Sequence, residues 1–217
     1  MTTRFADRLE AGRALAESLA DYRGRPEVIV LGLPRGGVPV ASVVAHDLGA
    51  PLDVVVVRKV GVPSQREVAM GAIASVAGAI VTVQNPDVLA RLGRNAQQAF
   101  DEVAARERVE LERRERDWRA DRAPLELGGR TVILVDDGLA TGATMRAAIM
   151  ALDSSGADEI VVAVPVGARD TCQELERLVD RVVCVSMPEP FWAVGQAYID
   201  FSQTSDDEVR RLLADAG

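Results

Sequence analysis

The chain has 217 residues, of which 48% are hydrophobic, and a formal net charge of −8. That length and composition suit one α/β domain, spanning 1–217, with a sizeable buried core. The acidic balance excludes non-specific nucleic-acid binding, which relies on clustered basic residues, and no apolar run approaches the roughly 20 residues of a membrane span. The first dozen residues are charged and lack a secretory apolar run, so a cytoplasmic location is expected. Two cysteines, Cys172 and Cys184, stand in no metal or redox spacing and read as small buried hydrophobes. The single histidine, His46, sits in an amphipathic helix pattern with no nucleophile elbow, which argues against a Ser/His/Asp centre.

Residues 3–21 read as an amphipathic helix, with Phe5, Leu9, Leu15 and Leu19 as core contacts. The apolar run Val28-Ile29-Val30-Leu31 is a strand. It leads through Gly32-Leu33-Pro34-Arg35-Gly36-Gly37 into a helix over 39–48, and Leu52 to Val57 form the next strand. In the intervening loop Arg35 offers a forked cation, and Gly36 and Gly37 offer backbone N–H groups, a combination suited to phosphate. It is neither a Walker loop nor GxGxxG, and a plain tight turn explains it equally well. The second strand runs into Arg58 and Lys59. Lys59 is the one lysine among 25 basic residues, and it is placed to emerge at a strand's carboxyl edge.

Residues 60–128 read as an insertion. Segments 71–73 and 79–83 suit a small antiparallel hairpin, and 86–120 suit one long helix or two. Glu102, Arg106, Glu110 and Arg114 recur every four residues, the mark of a solvated helix face and not of a nucleic-acid patch. The pattern then resumes with strand 131–135, helix 143–155, strand 159–165, helix 169–179 and strand 182–185. Alternation of this kind predicts an α/β, doubly wound, mostly parallel sheet, which binds ligands beyond the carboxyl ends of its strands.

At that edge the sequence reads Val132-Ile133-Leu134-Val135, then Asp136-Asp137, then Gly138-Leu139-Ala140-Thr141-Gly142-Ala143-Thr144. The Gly/Thr segment can surround a phosphate at a helix N-terminus. The paired aspartates would repel that phosphate but can accept hydrogen bonds from a vicinal diol beside it. A phosphate next to a diol describes a ribose 5-phosphate. In the C-terminal segment, 187–217, aromatics cluster at Phe191, Trp192, Tyr198 and Phe201. They suit either stacking on an acceptor base, read by Gln196 or Gln203, or a mini-core or dimer contact.

The stretch Thr131–Arg146 resembles the phosphoribosyl-pyrophosphate (PRPP) motif of the type I phosphoribosyltransferases: four apolar residues, two acids and a Thr-Gly-x-Thr loop. Pro34-Arg35-Gly36-Gly37 is similar to the family's pyrophosphate loop, and the order of parts agrees over about 28–60 and 130–186. The "RKVG" after the second strand and the C-terminal "DFSQTSDDEV" resemble a group of phosphoribosyltransferases of unassigned substrate. The resemblance implies that Asp136 and Asp137 hold the ribose hydroxyls and that Gly138 to Thr144 hold the 5-phosphate. It implies that Arg35, Gly36, Gly37, Arg58, Lys59 and Arg66 serve the pyrophosphate, with Mg²⁺ carried on PRPP and touching the protein at most at Asp136 and Asp137. Residues 60–70 stand where the family has a mobile catalytic loop, which makes Glu67 a candidate general base. The insertion would then act as a hood or lid. Phe191, Trp192 and Tyr198 are candidate acceptor contacts. Some relatives carry a third acid after the pair where this chain has Ala140, so the implied catalytic set is Asp136, Asp137, Lys59 and Glu67. The partners expected are PRPP and a small nitrogenous acceptor, with a homodimer open. Two other readings remain: a non-catalytic PRPP-binding regulator, and a sugar-phosphate phosphohydrolase.

Overall fold

The computed structural model describes residues 4–216 apart from 64, 77, 94, 120, 121, 124 and 154, with backbone alone at 65–67. Its elements run α1 (Arg8–Ser18), β1 (Val28–Gly32), α2 (Gly37–Leu48), β2 (Leu52–Val62), β3 (Gln65–Val76), β4 (Ala79–Gln84), α3 (Pro86–Leu92) and α4 (Ala96–Arg119). They continue with β5 (Thr131–Val135), α5 (Ala143–Leu152), β6 (Glu159–Val166), α6 (Arg169–Leu175), β7 (Arg181–Ser186) and α7 (Asp206–Asp215). All strands join one sheet in the order β4-β3-β2-β1-β5-β6-β7. Strands β2, β1, β5, β6 and β7 are parallel, and β3 and β4 are antiparallel additions at one edge.

Every residue of β1 and β5 is buried, because helices cover both faces of the sheet. Val28, Val30, Ile133 and Val135 face a core shared with α1, α2, α4 and α7. Ile29, Leu31, Val132 and Leu134 face the other core, shared with α5 and α6. Side chains alternate across a strand, so β-branched runs fill both cores at once. A third, smaller cluster joins Phe5, Ala11, Val166, Ala197 and Tyr198. It stitches the N-terminal helix to the C-terminal segment through a Phe5–Tyr198 bridge.

The predicted doubly wound sheet is present, with local differences. β2 runs to Val62 and not Val57, because β3 pairs with it along most of its length. Of residues 60–70, expected as a loop, the described ones belong to that antiparallel pair, with register shifts at 60–62. The expected hairpin is therefore part of the main sheet. Helix 86–120 is two helices, and Phe100, Ala104, Leu111 and Trp118 of α4 enter the main core. Leu9, expected in the core, is 43% exposed. α1 starts only at Arg8, where the Asp7 side chain accepts from the Glu10 N–H and caps it.

Candidate functional site

The strand order reverses between β1 and β5: the chain goes from β1 to one neighbour, β2, and only later returns to β5 on the other side. The pairs Val30↔Ile133 and Gly32↔Val135 keep these strands level, so the segments leaving them emerge side by side. The Leu33 N–H still bonds to the Val135 carbonyl at 2.8 Å, and the Pro34–Arg35 peptide just beyond it is cis. Gly36 and Gly37 then pass against the two acids. A β-carbon on Gly36 would stand 1.9 Å from Oδ2 of Asp137. One on Gly37 would stand 2.8 Å from Cα of Asp136 and 2.7 Å from the Val135 carbonyl. Both positions therefore demand glycine for close approach.

Each acid commits one oxygen to the protein. Oδ1 of Asp136 accepts from the Asp137 N–H at 2.8 Å. Oδ2 of Asp137 accepts from Nε of Arg8 at 2.9 Å and lies 2.8 Å from its Nη2. Among the described residues, nothing donates to Oδ2 of Asp136 or Oδ1 of Asp137. The side chains of Arg8 and Asp137 are only 12% and 14% exposed. Burial, reinforced by the neighbouring negative charge of Asp137, holds the Asp136 carboxyl well above the usual carboxylate range. Burial also raises Asp137, with Arg8 pulling the other way. Beneath them the Tyr198 hydroxyl donates to the Asp137 carbonyl at 2.5 Å. Burial and the nearby Asp137 charge push that phenol's pKa upward.

The segment after the acids is pinned from below. The Leu139 N–H bonds to the Val166 carbonyl, and the Ala168 N–H bonds to the Leu139 carbonyl, both at 2.8 Å. The Thr171 hydroxyl donates to the Ala140 carbonyl at 2.7 Å. Gly138 is tight against Val194, whose Cγ1 would meet a β-carbon there at 2.4 Å. Gly142, at φ 68°, turns the chain into α5. No side chain caps α5, and Thr141, Ala143 and Thr144 are exposed. Its first-turn N–H groups carry the positive end of the helix dipole and suit an anion. Arg146 braces the loop by donating to the Thr141 carbonyl, with Glu174 on its other side at 3.0 Å.

The structure thus brings together Gly36, Gly37, Asp136, Asp137 and the loop 138–144. Other predicted residues stand apart. Arg35 turns towards α4 and α7, 3.8 Å from Asp206, in a small cleft with Arg113, Arg114 and Trp118. Arg58 donates to Glu107 of α4 at 2.8 Å. Lys59 lines a groove with Val103, Arg106 and Glu107. The side chains of Arg66 and Glu67 lie outside the described residues. Trp192 is 77% exposed at a cavity of about 200 Å³ that also meets Arg4, Ser186 and Gln196. Phe191 packs against the small third cluster. Tyr198 corrects the acceptor reading. Its ring is buried, 5.0 Å from Phe201 and 5.9 Å from Phe5, so neither face is open to a base. Sequence reasoning missed Arg8, because one arginine among many in a surface-helix pattern carries no local sign of its partner.

The phosphoribosyl transferase domain profile matches residues 3–202. A Mycobacterium tuberculosis (H37Rv) protein assigned as a candidate phosphoribosyl transferase is 50% identical over 209 residues, which cover 96% of this chain and 46% of that one. Its counterpart in strain CDC 1551 matches equally well. The chain spans about half the length of these curated relatives. The crystal structure of TT1426 from Thermus thermophilus superposes with a TM-score of 0.88 at 42% identity, covering 99% of this chain and 100% of that one.

Proposed function

The chain belongs to the phosphoribosyl transferase domain family, and we propose that it transfers the 5-phosphoribosyl group of PRPP to a nitrogenous acceptor, releasing pyrophosphate. One observation carries this reading: two adjacent acids at a strand's carboxyl end each keep one oxygen without a donor among the described residues. A vicinal diol supplies two adjacent donors. The first turn of α5 and the loop 138–144 receive the 5-phosphate beside it. The loop of Gly36 and Gly37 lies beside the pyrophosphate, with the Gly37 N–H itself held by the Leu33 carbonyl, and Arg35, Arg58, Lys59 and Arg66 are the cations that the family resemblance assigns to it.

The reaction breaks the bond between the anomeric carbon and pyrophosphate through an oxocarbenium-like state. Ionised Asp136 and Asp137 place negative potential beside the developing positive charge. Cations and backbone donors stabilise the departing pyrophosphate. Among the described residues no three His, Cys, Asp or Glu side chains converge as a metal cage. The donor set fits Mg²⁺ held mainly by phosphate oxygens, with an open oxygen of Asp136 or Asp137 as its protein ligand. When bound, the ion would neutralise charge on the leaving group. Glu67 remains the candidate base, and Phe191 and Trp192 remain the candidate acceptor contacts. No described helix is long and apolar enough to cross a membrane.

The test is pyrophosphate release from PRPP and Mg²⁺, with and without a panel of bases and amines. Acceptor-dependent release is expected. PRPP binding without release for any acceptor would favour a regulator of the same fold, a reading that Ala140 in place of a third acid motivates. No PRPP binding would overturn the site.

A further inference from the structure

Arg8 lies outside every motif that the family resemblance singled out, yet it touches the centre of the site. It comes from the first turn of α1, 129 residues away from Asp137. Nε donates to Oδ2 of Asp137, Nη2 lies 2.8 Å from the same oxygen, and Nη1 donates to the Ser202 carbonyl at 2.7 Å. The guanidinium also lies 4.2 Å from the centre of the Phe201 ring. A β-carbon on Gly36 would approach its Nη2 to 3.3 Å, so the glycine loop passes directly over the pair.

This contact has a directional consequence. Both inward donors of Arg8 converge on one oxygen of Asp137. With Oδ2 held in this way the carboxylate plane is set, and Oδ1 is left without a donor among the described residues. The Tyr198 hydroxyl holds the same residue's backbone from the other side. A carboxylate free to rotate about its side-chain bonds would offer a ligand no fixed acceptor direction. The fork is in turn held by the Ser202 carbonyl and packed on the Phe201 ring.

We infer that Arg8 is a positioning residue, which clamps one oxygen of Asp137 so that the other presents to a sugar diol. The inference rests on the reading of Asp136 and Asp137 as diol acceptors. It predicts that Arg8 governs recognition of the hydroxyls and not of the phosphate.

Calorimetry separates these. The probes are ribose 5-phosphate and tetrahydrofurfuryl phosphate, which keeps the ring and phosphate but has no ring hydroxyls. The wild-type chain should prefer ribose 5-phosphate by about tenfold or more, the worth of hydrogen bonds to a charged acceptor. In Arg8→Gln that preference should collapse to about twofold, with affinity for the hydroxyl-free ester little changed. Arg8→Lys keeps the charge without the fork and should recover part of the preference. It also carries the test should the Gln variant fail to show a cooperative thermal transition. A preference retained in the variants, or an equal loss for both esters, would overturn the positioning role. A wild-type chain that binds both esters alike would remove the diol reading, and this inference with it.

Discussion

Two carboxylate–arginine contacts, one buried and one part-buried, sit at opposite ends of the sheet and are built differently. At the amino edge, Asp53 opens β2 and meets Arg119 at the end of α4. Both are almost fully buried. Oδ1 of Asp53 accepts from Nε of Arg119 at 3.0 Å and from the Val54 N–H at 2.8 Å. Its Oδ2 accepts from Nη2 at 2.8 Å, and Nη2 also reaches the Ala123 carbonyl. Both oxygens are satisfied, and the pair staples the inserted helix to the sheet. At the carboxyl edge, Asp136 and Asp137 are adjacent with one arginine, Arg8, on Asp137, and each acid leaves an oxygen without a donor among the described residues. A finished network is structural, and an unfinished one is available to a ligand.

The contrast can be broken by exchange of roles. Replacing Asp136 and Asp137 together by Asn should weaken PRPP binding by about 100-fold or more, since two hydrogen bonds to charged acceptors are lost. Calorimetry checks this, and unchanged binding would place the ribose elsewhere. Asp53→Ala should do the opposite. It should cost about 3–5 kcal/mol of stability by stranding a buried charge, yet leave PRPP affinity per folded molecule alone. Denaturant unfolding reads the first effect, and a loss below about 1 kcal/mol would mean that the amino-edge pair is not the staple described. Gly36→Ala forces a methyl group onto Asp137. A loss of about 1–3 kcal/mol in PRPP binding is expected, with overpacking as the cause.

The smallest effect concerns pH. Burial and the charge on Asp137 raise the Asp136 carboxyl in the folded state. The folded chain therefore holds that proton more tightly than the unfolded chain does. The associated stability is full below the unfolded carboxylate value of about 3.9 and is lost as pH rises through the raised folded value. Asp136→Asn keeps the acceptor for the Asp137 N–H and abolishes this loss. Without ligand at neutral pH it should melt higher, by about 1 kcal/mol or roughly 2–4 °C. Parallel stability-against-pH curves for the two chains would show that Asp136 bears no such strain.

The same contrast explains what could be read from sequence. Val132-Ile133-Leu134-Val135, the acid pair and the Gly/Thr loop are consecutive, so their pattern is local and visible. The glycines of the neighbouring loop were visible too, though only the structure shows that each avoids an acid. Arg8 and Tyr198 were not legible as partners of Asp137, because their contacts cross 129 and 61 residues. Asp53 and Arg119 are likewise ordinary in sequence until β2 and α4 meet. The extension of β2 to Val62 came from pairing with β3, a tertiary effect that the apolar run ending at Val57 could not announce.

The Phe5–Tyr198 bridge also bears on the chain's history during synthesis. The strands that carry the acids can pair once β6 has left the ribosome, but the segment that fixes Asp137 follows later. Until residues 198–202 emerge, Arg8 lacks its Ser202 anchor and Asp137 lacks the Tyr198 hydroxyl. Closing so long a loop is slow relative to local pairing. The strands can therefore pair ahead of the geometry that makes the site selective, and a nascent chain would carry the acids before it could orient them.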